Sequence, residues 1–187
     1  MDYKWIAKKI SADPESFWII IDEFEEKLIR YIMRISDMAY EEAENTLQDI
    51  FLKVYKNIYE YDENYSFSSW IYRIAHNAVI DYHRKNEKTS SNISLEDEEY
   101  ENLVRSLTDN ENPHLDLRRK DTRECVQKAI KELRKDYREA IILKFLEDYS
   151  YEEISDILKI PTWTVWTLIN RAKTALRESL WNSICNK

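Results

Sequence analysis

Apolar residues recur along most of this chain at intervals of three and four, the spacing that lays them on one face of a helix. In AENTLQDIFLKVYKNI, Ala43, Leu47, Ile50, Phe51, Val54 and Ile58 form such a stripe. The opposite side of that helix displays Asn45, Gln48, Asp49, Leu52, Lys53 and Lys56. A second helix is predicted from about Ser69 to Lys85, burying Ile71, Ile74, Ala75, Ala78 and Tyr82. Its other faces offer Arg73, His76, Asn77, Ile80, His83, Arg84 and Lys85. Between the two lies YEYDENYSFSS, with Tyr59, Tyr61, Tyr65 and Phe67. Those rings suit either core packing or, beside a basic, amide-bearing helix, the stacking of single-stranded bases.

Near the C-terminus two shorter helices are predicted on either side of a tight joint. Ser150 and Glu153 have the spacing of a capping box, and Ile154, Ile157 and Leu158 form the stripe that follows. Lys159, Ile160 and Pro161 end that helix, because proline pushes its predecessor out of helical geometry. Thr162 is placed to cap the next helix, whose buried face is Val165, Ile169, Ala172 and Leu176. Turning about 100° per residue from Val165 carries Thr167 and Thr174 directly away from the core. Trp163, Asn170, Arg171, Arg177 and Glu178 flank them, Trp166 and Lys173 take one shoulder, and Leu168 falls at the core edge. This is a helix-turn-helix pattern. Arg171, Lys173 and Arg177 suit phosphates or guanine edges, while Asn170 and the threonines suit base contacts. A merely solvated helical hairpin is the competing reading. Two tryptophans on the outer side weigh against it, since large rings rarely face water without a partner.

Composition narrows the class. The chain has 187 residues, enough for one medium or two small domains, with no glycine and three prolines. That argues against turn-dense β folds and phosphate-cradling loops and leaves an all-α protein. No apolar run is long enough to span a membrane, and the N-terminus lacks a signal peptide's apolar centre. Cys125 and Cys185 are the only thiols, so a structural disulfide is not expected and a cytoplasmic location is. His76 and His83 lie seven apart with no third ligand, so no metal or cofactor is predicted. The carboxylate pairs Glu41–Glu42 and Glu152–Glu153 sit at helix starts, where the dipole favours them. No nucleophile–base arrangement is present, and neither an enzyme activity nor a small-molecule substrate is expected.

The net charge of −8 is unevenly spread. Residues 1–85 carry 11 basic and 16 acidic side chains, residues 86–120 carry 5 and 9, and residues 121–187 carry 12 and 11. From Lys159 onward five basic residues face Glu178 alone. The overall acidity opposes binding to free DNA by long-range repulsion, so such a chain needs help to stay there. Between Asn86 and Asp116 the helical stripe breaks up in a Ser-, Asn-, Asp- and Glu-rich stretch, with a short helix conceivable around Glu98–Leu107. Two small helical domains, 1–85 and 121–187, joined by an acidic linker, 86–120, are therefore expected.

These segments, in this order, resemble the extracytoplasmic-function (ECF) sigma factors of the bacterial sigma-70 family. AENTLQDIFLKVYKNI resembles the family's polymerase-clamp helix, and FSSWIYRIAHNAVIDYHRK the segment that recognises the −10 promoter element. YREAIILKFLEDYSYEEISDILKIPTWTVWTLINRAKTAL resembles the −35-binding domain. The resemblance covers about residues 15–85 and 119–181. It implies a region 2-like helical bundle, a region 4-like helix-turn-helix, and core RNA polymerase and promoter DNA as partners. It also implies an anti-sigma factor, which the family commonly has.

Carried over by position, the resemblance puts Gln48, Asp49 and Lys53, with Leu52 beside them, against the polymerase. Arg73, Asn77 and Arg84 match the −10 segment, with His76 and Lys85 on the same helix. The loop Tyr59–Ser68, including Tyr61 and Tyr65, corresponds to the pocket for a base flipped from the stack, at an unstacking cost of a few kcal/mol. Thr167, Arg171 and Lys173 match −35 contacts, with Trp163, Trp166, Asn170 and Thr174 on the same face. The linker resembles those that thread the polymerase interior. Many family members have glycine, lysine and arginine where this chain has Trp163, Trp166 and Leu168. The −35 preference is therefore not transferable, and the tryptophans suit sugar edges or thymine methyls. The competing functional reading is a free-standing helix-turn-helix regulator, which would dimerise and bind duplex DNA without polymerase. A third is a helical interaction module.

Overall fold

The computed structural model describes residues 10, 13–62, 64–87 and 125–185. No strand occurs among them, and the chain is all-α as the periodicity requires. The described residues form two compact units. One contains the described residues of Met1–Ser94 with Glu152–Ile160; the other contains those of Leu95–Tyr151 with Pro161–Lys187.

The first unit opens with a 3-10 turn, Pro14–Phe17, which Asp13 caps by accepting from Glu15 N at 3.2 Å and Ser16 Oγ at 2.9 Å. Proline fits the first turn because its missing N–H has no intrahelical partner there. Helix α1 (Trp18–Ile35) follows and buries Ile20, Phe24, Leu28 and Ile32, four residues apart, so one stripe faces inward. Helix α2 (Tyr40–Asn57) starts where the Glu42 carboxylate reaches back to Ala39 N at 3.1 Å, satisfying one orphan donor. All six stripe residues read from its sequence are buried. Helix α3 (Phe67–Glu87) begins after Ser66, whose hydroxyl accepts from Ser69 N and whose carbonyl accepts from Trp70 N.

Helices α1, α2 and α3 pack pairwise on one another. Phe24, Phe67, Tyr61 and Trp70 interlock there, with ring centroids 5.0 to 6.1 Å apart, while Tyr31 and Tyr72 meet at 4.9 Å. Each large apolar side chain enclosed in this way contributes about 1.5–3 kcal/mol. Helix α3 is more enclosed than its stripe foretold: Phe67, Trp70, Tyr72 and Val79 are also buried, while Ile74 and Tyr82 are half-buried. A helix packed against two others hides more than one face.

In the second unit a helical segment α4 (125–131) leads to α5 (Lys135–Phe145). Buried Arg138 donates through Nη2 to the carbonyls of Lys131 and Leu133. It thereby satisfies acceptors that the end of α4 leaves open. Arg134 grips both oxygens of Asp136 at 2.6 and 2.5 Å. That grip, reinforced by Tyr137 N, holds the Asp136 carboxyl below its ordinary range, and Arg134 is raised in turn. Because the folded carboxyl titrates below the unfolded one, its stabilisation is complete above about pH 4 and is lost as pH falls through the folded value. Asp136→Asn is expected to flatten the acid limb of a melting-temperature profile below about pH 5. The effect is small, because both side chains are open to solvent, which screens the pair.

Helix α6 (Tyr151–Leu158) buries Ile154 and Ile157 and begins directly after Ser150. It ends at Lys159, whose φ of 54° is left-handed, with Ile160 N returning to Ser155 O at 3.3 Å. That is the bonding of a glycine-type helix stop, performed in a chain without glycine. Asp148, φ 57°, makes the corresponding turn after α5. Helix α7 (Thr162–Cys185) begins at Thr162 itself rather than after it. The Pro161 carbonyl accepts from Thr164 N and Val165 N, at 2.8 and 3.2 Å, so Pro161 holds the cap position expected of Thr162. Val165, Ile169 and Ala172 are wholly buried, and Ala172 joins Leu133 and Ile141 in a core with Tyr137, Ala175 and Leu176 against it.

The backbone of α3 runs two residues past the expected boundary at 85. The rest of the acidic linker, with its short helix around Glu98–Leu107, lies outside the described residues. Cys125 is a free thiol. Among the described residues no helix is long and apolar enough to cross a membrane, and no group of His, Cys, Asp or Glu is placed to hold a metal ion.

Candidate nucleic-acid and polymerase interfaces

Helix α2 separates two surfaces because its stripe is single. Opposite the core, Gln48, Asp49, Leu52 and Lys53 are all exposed, Leu52 at 55%. Tyr55, also exposed, is steadied by an edge contact with Phe17 at 5.2 Å. An exposed leucine ringed by amide and charged side chains is the composition of a protein-binding surface: an apolar anchor within a polar rim.

After α2 a 3-10 turn, Ile58–Glu60, and a loop carry the aromatic residues. Asp62 shapes that loop by accepting from the backbone and side-chain amides of Asn64 at 3.0 and 2.8 Å. The structure divides the four rings. Phe67 is buried; Tyr61 is half-buried against Phe67 and Trp70, with its hydroxyl donating to Tyr65 O at 2.6 Å. Tyr59 and Tyr65 protrude, 69% and 50% exposed. Tyr61 therefore braces the loop, and the exposed rings are those of Tyr59 and Tyr65, with Lys159 Nζ 6.0 Å from the Tyr65 centroid.

On α3, Asn77, Arg84 and Lys85 are exposed, and His76 is half-buried. Arg84 bonds Asp81 at 3.0 Å on the open surface, a pairing weak enough to exchange for a phosphate. Arg73 is held more firmly: its Nη1 lies 3.0 Å from Asp156 Oδ1, within the same unit, and both side chains are largely enclosed.

On α7, Trp163, Trp166, Arg171, Lys173, Thr174 and Arg177 are exposed on the side away from Val165, Ile169 and Ala172. Thr167 is half-buried, and its hydroxyl donates to Trp163 O at 2.9 Å; Thr174 does the same to Asn170 O at 3.2 Å. Both hydroxyl protons are thus used within the helix. Lys173 Nζ lies 5.0 Å over the Phe145 ring, which steadies its long stem. Asn170 is half-buried with its side-chain nitrogen enclosed and unbonded, a placement that turning 100° per residue does not foresee.

The bundle with its exposed aromatic loop, and the helix-turn-helix with a cationic outer face, together define a helical protein made to meet both a protein and nucleic acid. The pattern described as "Sigma-70 region 2" matches residues 20–89, and "Sigma-70, region 4" matches residues 123–176. The ECF RNA polymerase sigma factor SigW of Bacillus subtilis (strain 168) is 33% identical over 180 residues, 95% of each chain. The ECF RNA polymerase sigma-E factor of Escherichia coli (strain K12) is 28% identical over 178 residues, 94% of this chain and 92% of that one. In fold, the chain is similar to CnrH, solved in complex with the cytosolic domain of CnrY (TM-score 0.68, 18% identity, 96% of each chain). It is similar also to the sigma factor RpoE of Bartonella quintana, solved with the anti-sigma factor NepR (TM-score 0.66, 20% identity, 89% of this chain and 97% of that one).

The chain belongs to the sigma-70 family, in its ECF group. It is a non-enzymatic specificity subunit that binds core RNA polymerase and directs promoter recognition and transcription initiation. The reading as a free-standing regulator is not favoured, since the region 2 match and the full-length relatives leave no room for it.

Proposed function

We propose that the sigma activity is divided along the chain as residues 1–85 for the polymerase clamp and −10 element, 86–120 as tether, and 121–187 for the −35 element. Leu52, with Gln48, Asp49 and Lys53, docks on core polymerase. Tyr59 and Tyr65 offer ring faces to unstacked bases, with Tyr61 bracing them from below. Asn77, Arg84 and Lys85, with His76 beside them, hold the separated strand by phosphate and base-edge contacts, and Arg73 joins them only on leaving Asp156. Thr167, Asn170, Arg171, Lys173 and Thr174, with Trp163 and Trp166, meet the −35 duplex.

The observation that carries this assignment is the outer face of α7, where Arg171, Lys173 and Arg177 stand opposite a wholly buried Val165, Ile169 and Ala172. A cation so placed is worth about 1–3 kcal/mol at a guanine edge, or a uniform loss of binding at a phosphate. Arg171→Ala is therefore expected to lower initiation from the protein's own promoters about tenfold, with core binding intact. Unchanged initiation would remove the −35 role given to Arg171.

The protein works in the cytoplasm, where core polymerase and DNA are. The solved complexes of CnrH and RpoE support a further partner, an anti-sigma factor that restrains this chain by covering its polymerase- and DNA-facing surfaces.

A further inference from the structure

The outer face of α7 is divided lengthwise. From Thr162 to Asn170 it has no charged residue at all, and every cation of the face (Arg171, Lys173, Arg177) lies in the later turns. In the uncharged part, Trp163 and Trp166 are three residues apart, on neighbouring positions of one surface, and are 71% and 59% exposed. Thr167 adjoins them, its hydroxyl proton already given to Trp163 O at 2.9 Å.

In a helix-turn-helix the first turns of the second helix meet base edges, while phosphates are held by surrounding groups. The division therefore puts the apolar part over the bases and the cations beside it. Tryptophan offers one N–H donor and no acceptor, so it cannot make the bidentate bonds by which arginine reads guanine or asparagine reads adenine. The major groove presents one apolar feature that such rings can recognise: the 5-methyl group of thymine.

We infer that Trp163 and Trp166 read thymine methyl groups in the upstream promoter element, so that this sigma factor selects A·T pairs there by apolar contact. The inference rests on the proposed −35 role of α7 and gives it a base chemistry. A methyl group buried against the rings corresponds to about a fourfold effect on binding.

The test uses the holoenzyme, core polymerase with the full chain, on a promoter mapped by its own start site. Thymines of the upstream element are replaced by deoxyuridine, which removes the methyl and keeps every hydrogen bond of the pair. Initiation is expected to fall about fourfold for each contacted methyl. With the Trp163→Ala/Trp166→Ala variant, thymine and uracil templates should give equal rates. Both side chains are largely exposed, so the variant folds, which a melting curve checks.

An upstream element without A·T pairs overturns the inference. So does wild-type holoenzyme indifferent to uracil. If the tryptophan variant then loses initiation with core binding retained, the rings pack on sugars; if it loses core binding, they meet the polymerase. Arg171→Ala separates the two levels. Uracil indifference with an Arg171 defect leaves the −35 role standing and removes the methyl reading, whereas indifference to both removes the −35 role as well.

Discussion

Replacing Phe67 by alanine is expected to destabilise the first unit by about 3–5 kcal/mol, the usual cost of deleting an enclosed aromatic ring. Phe67 is 2% exposed and touches Phe24, Tyr61 and Trp70 at centroid distances of 6.1, 5.0 and 5.6 Å. The cavity would remove the surface against which Tyr61 braces the loop, so Tyr59 and Tyr65 would lose their placement too. Tyr59→Ala is the counterpart: it should change stability by less than about 0.5 kcal/mol, as surface substitutions do, yet impair strand opening. Thermal unfolding and a promoter-melting assay on both variants check this. An unchanged midpoint in Phe67→Ala, with melting impaired, would make Phe67 a contact to DNA rather than a core residue.

Leu52→Asp is expected to weaken association with core polymerase about thirtyfold, roughly 2 kcal/mol, the scale of an anchoring side chain in an interface. The substitution removes apolar area and adds a charge that would have to be desolvated. Leu52 is exposed on α2 and supports no core, so the melting temperature should not move. A competition assay for core binding reads the effect. A Gln48→Ala/Asp49→Ala variant should weaken binding less, since polar positions at the rim keep access to water. Wild-type affinity in both variants would sink the assignment of this face to the polymerase.

The helices were legible where one face alone is buried. The stripe of α2 named its whole core face and, by subtraction, its exposed surface. Helix α3 was less so, because Tyr72 and Val79 fall outside a single stripe and are buried by a second neighbour. The helix-turn-helix was legible from Pro161 and from the spacing of Val165, Ile169 and Ala172. The place of its stop, Lys159 to Pro161, was legible as well, but not its conformation: left-handed backbone is ordinarily flagged by glycine, and here Lys159 and Asp148 adopt it unannounced. Nor did the sequence reveal that Arg138 would be buried as a cap, since a lone cation in a helical stripe looks like any solvated one.

Among the site residues, composition told which types could bind nucleic acid and the fold told which are available. Tyr61 and Tyr65 are alike in sequence, and packing on Trp70 makes one a brace while the other projects. Arg73 and Arg84 read as equivalent cations on one helix. Arg73 is enclosed with Asp156 and Arg84 stands in water, a difference set by a residue 83 positions away in sequence.

The most direct test of the sigma assignment is in vitro transcription on fragmented DNA from the source organism, with core polymerase alone and with this protein added. Discrete new start sites that appear only with the protein, sharing two upstream elements, are the expected result. Failure of the protein to bind core polymerase, with the added protein shown to be folded, would contradict it.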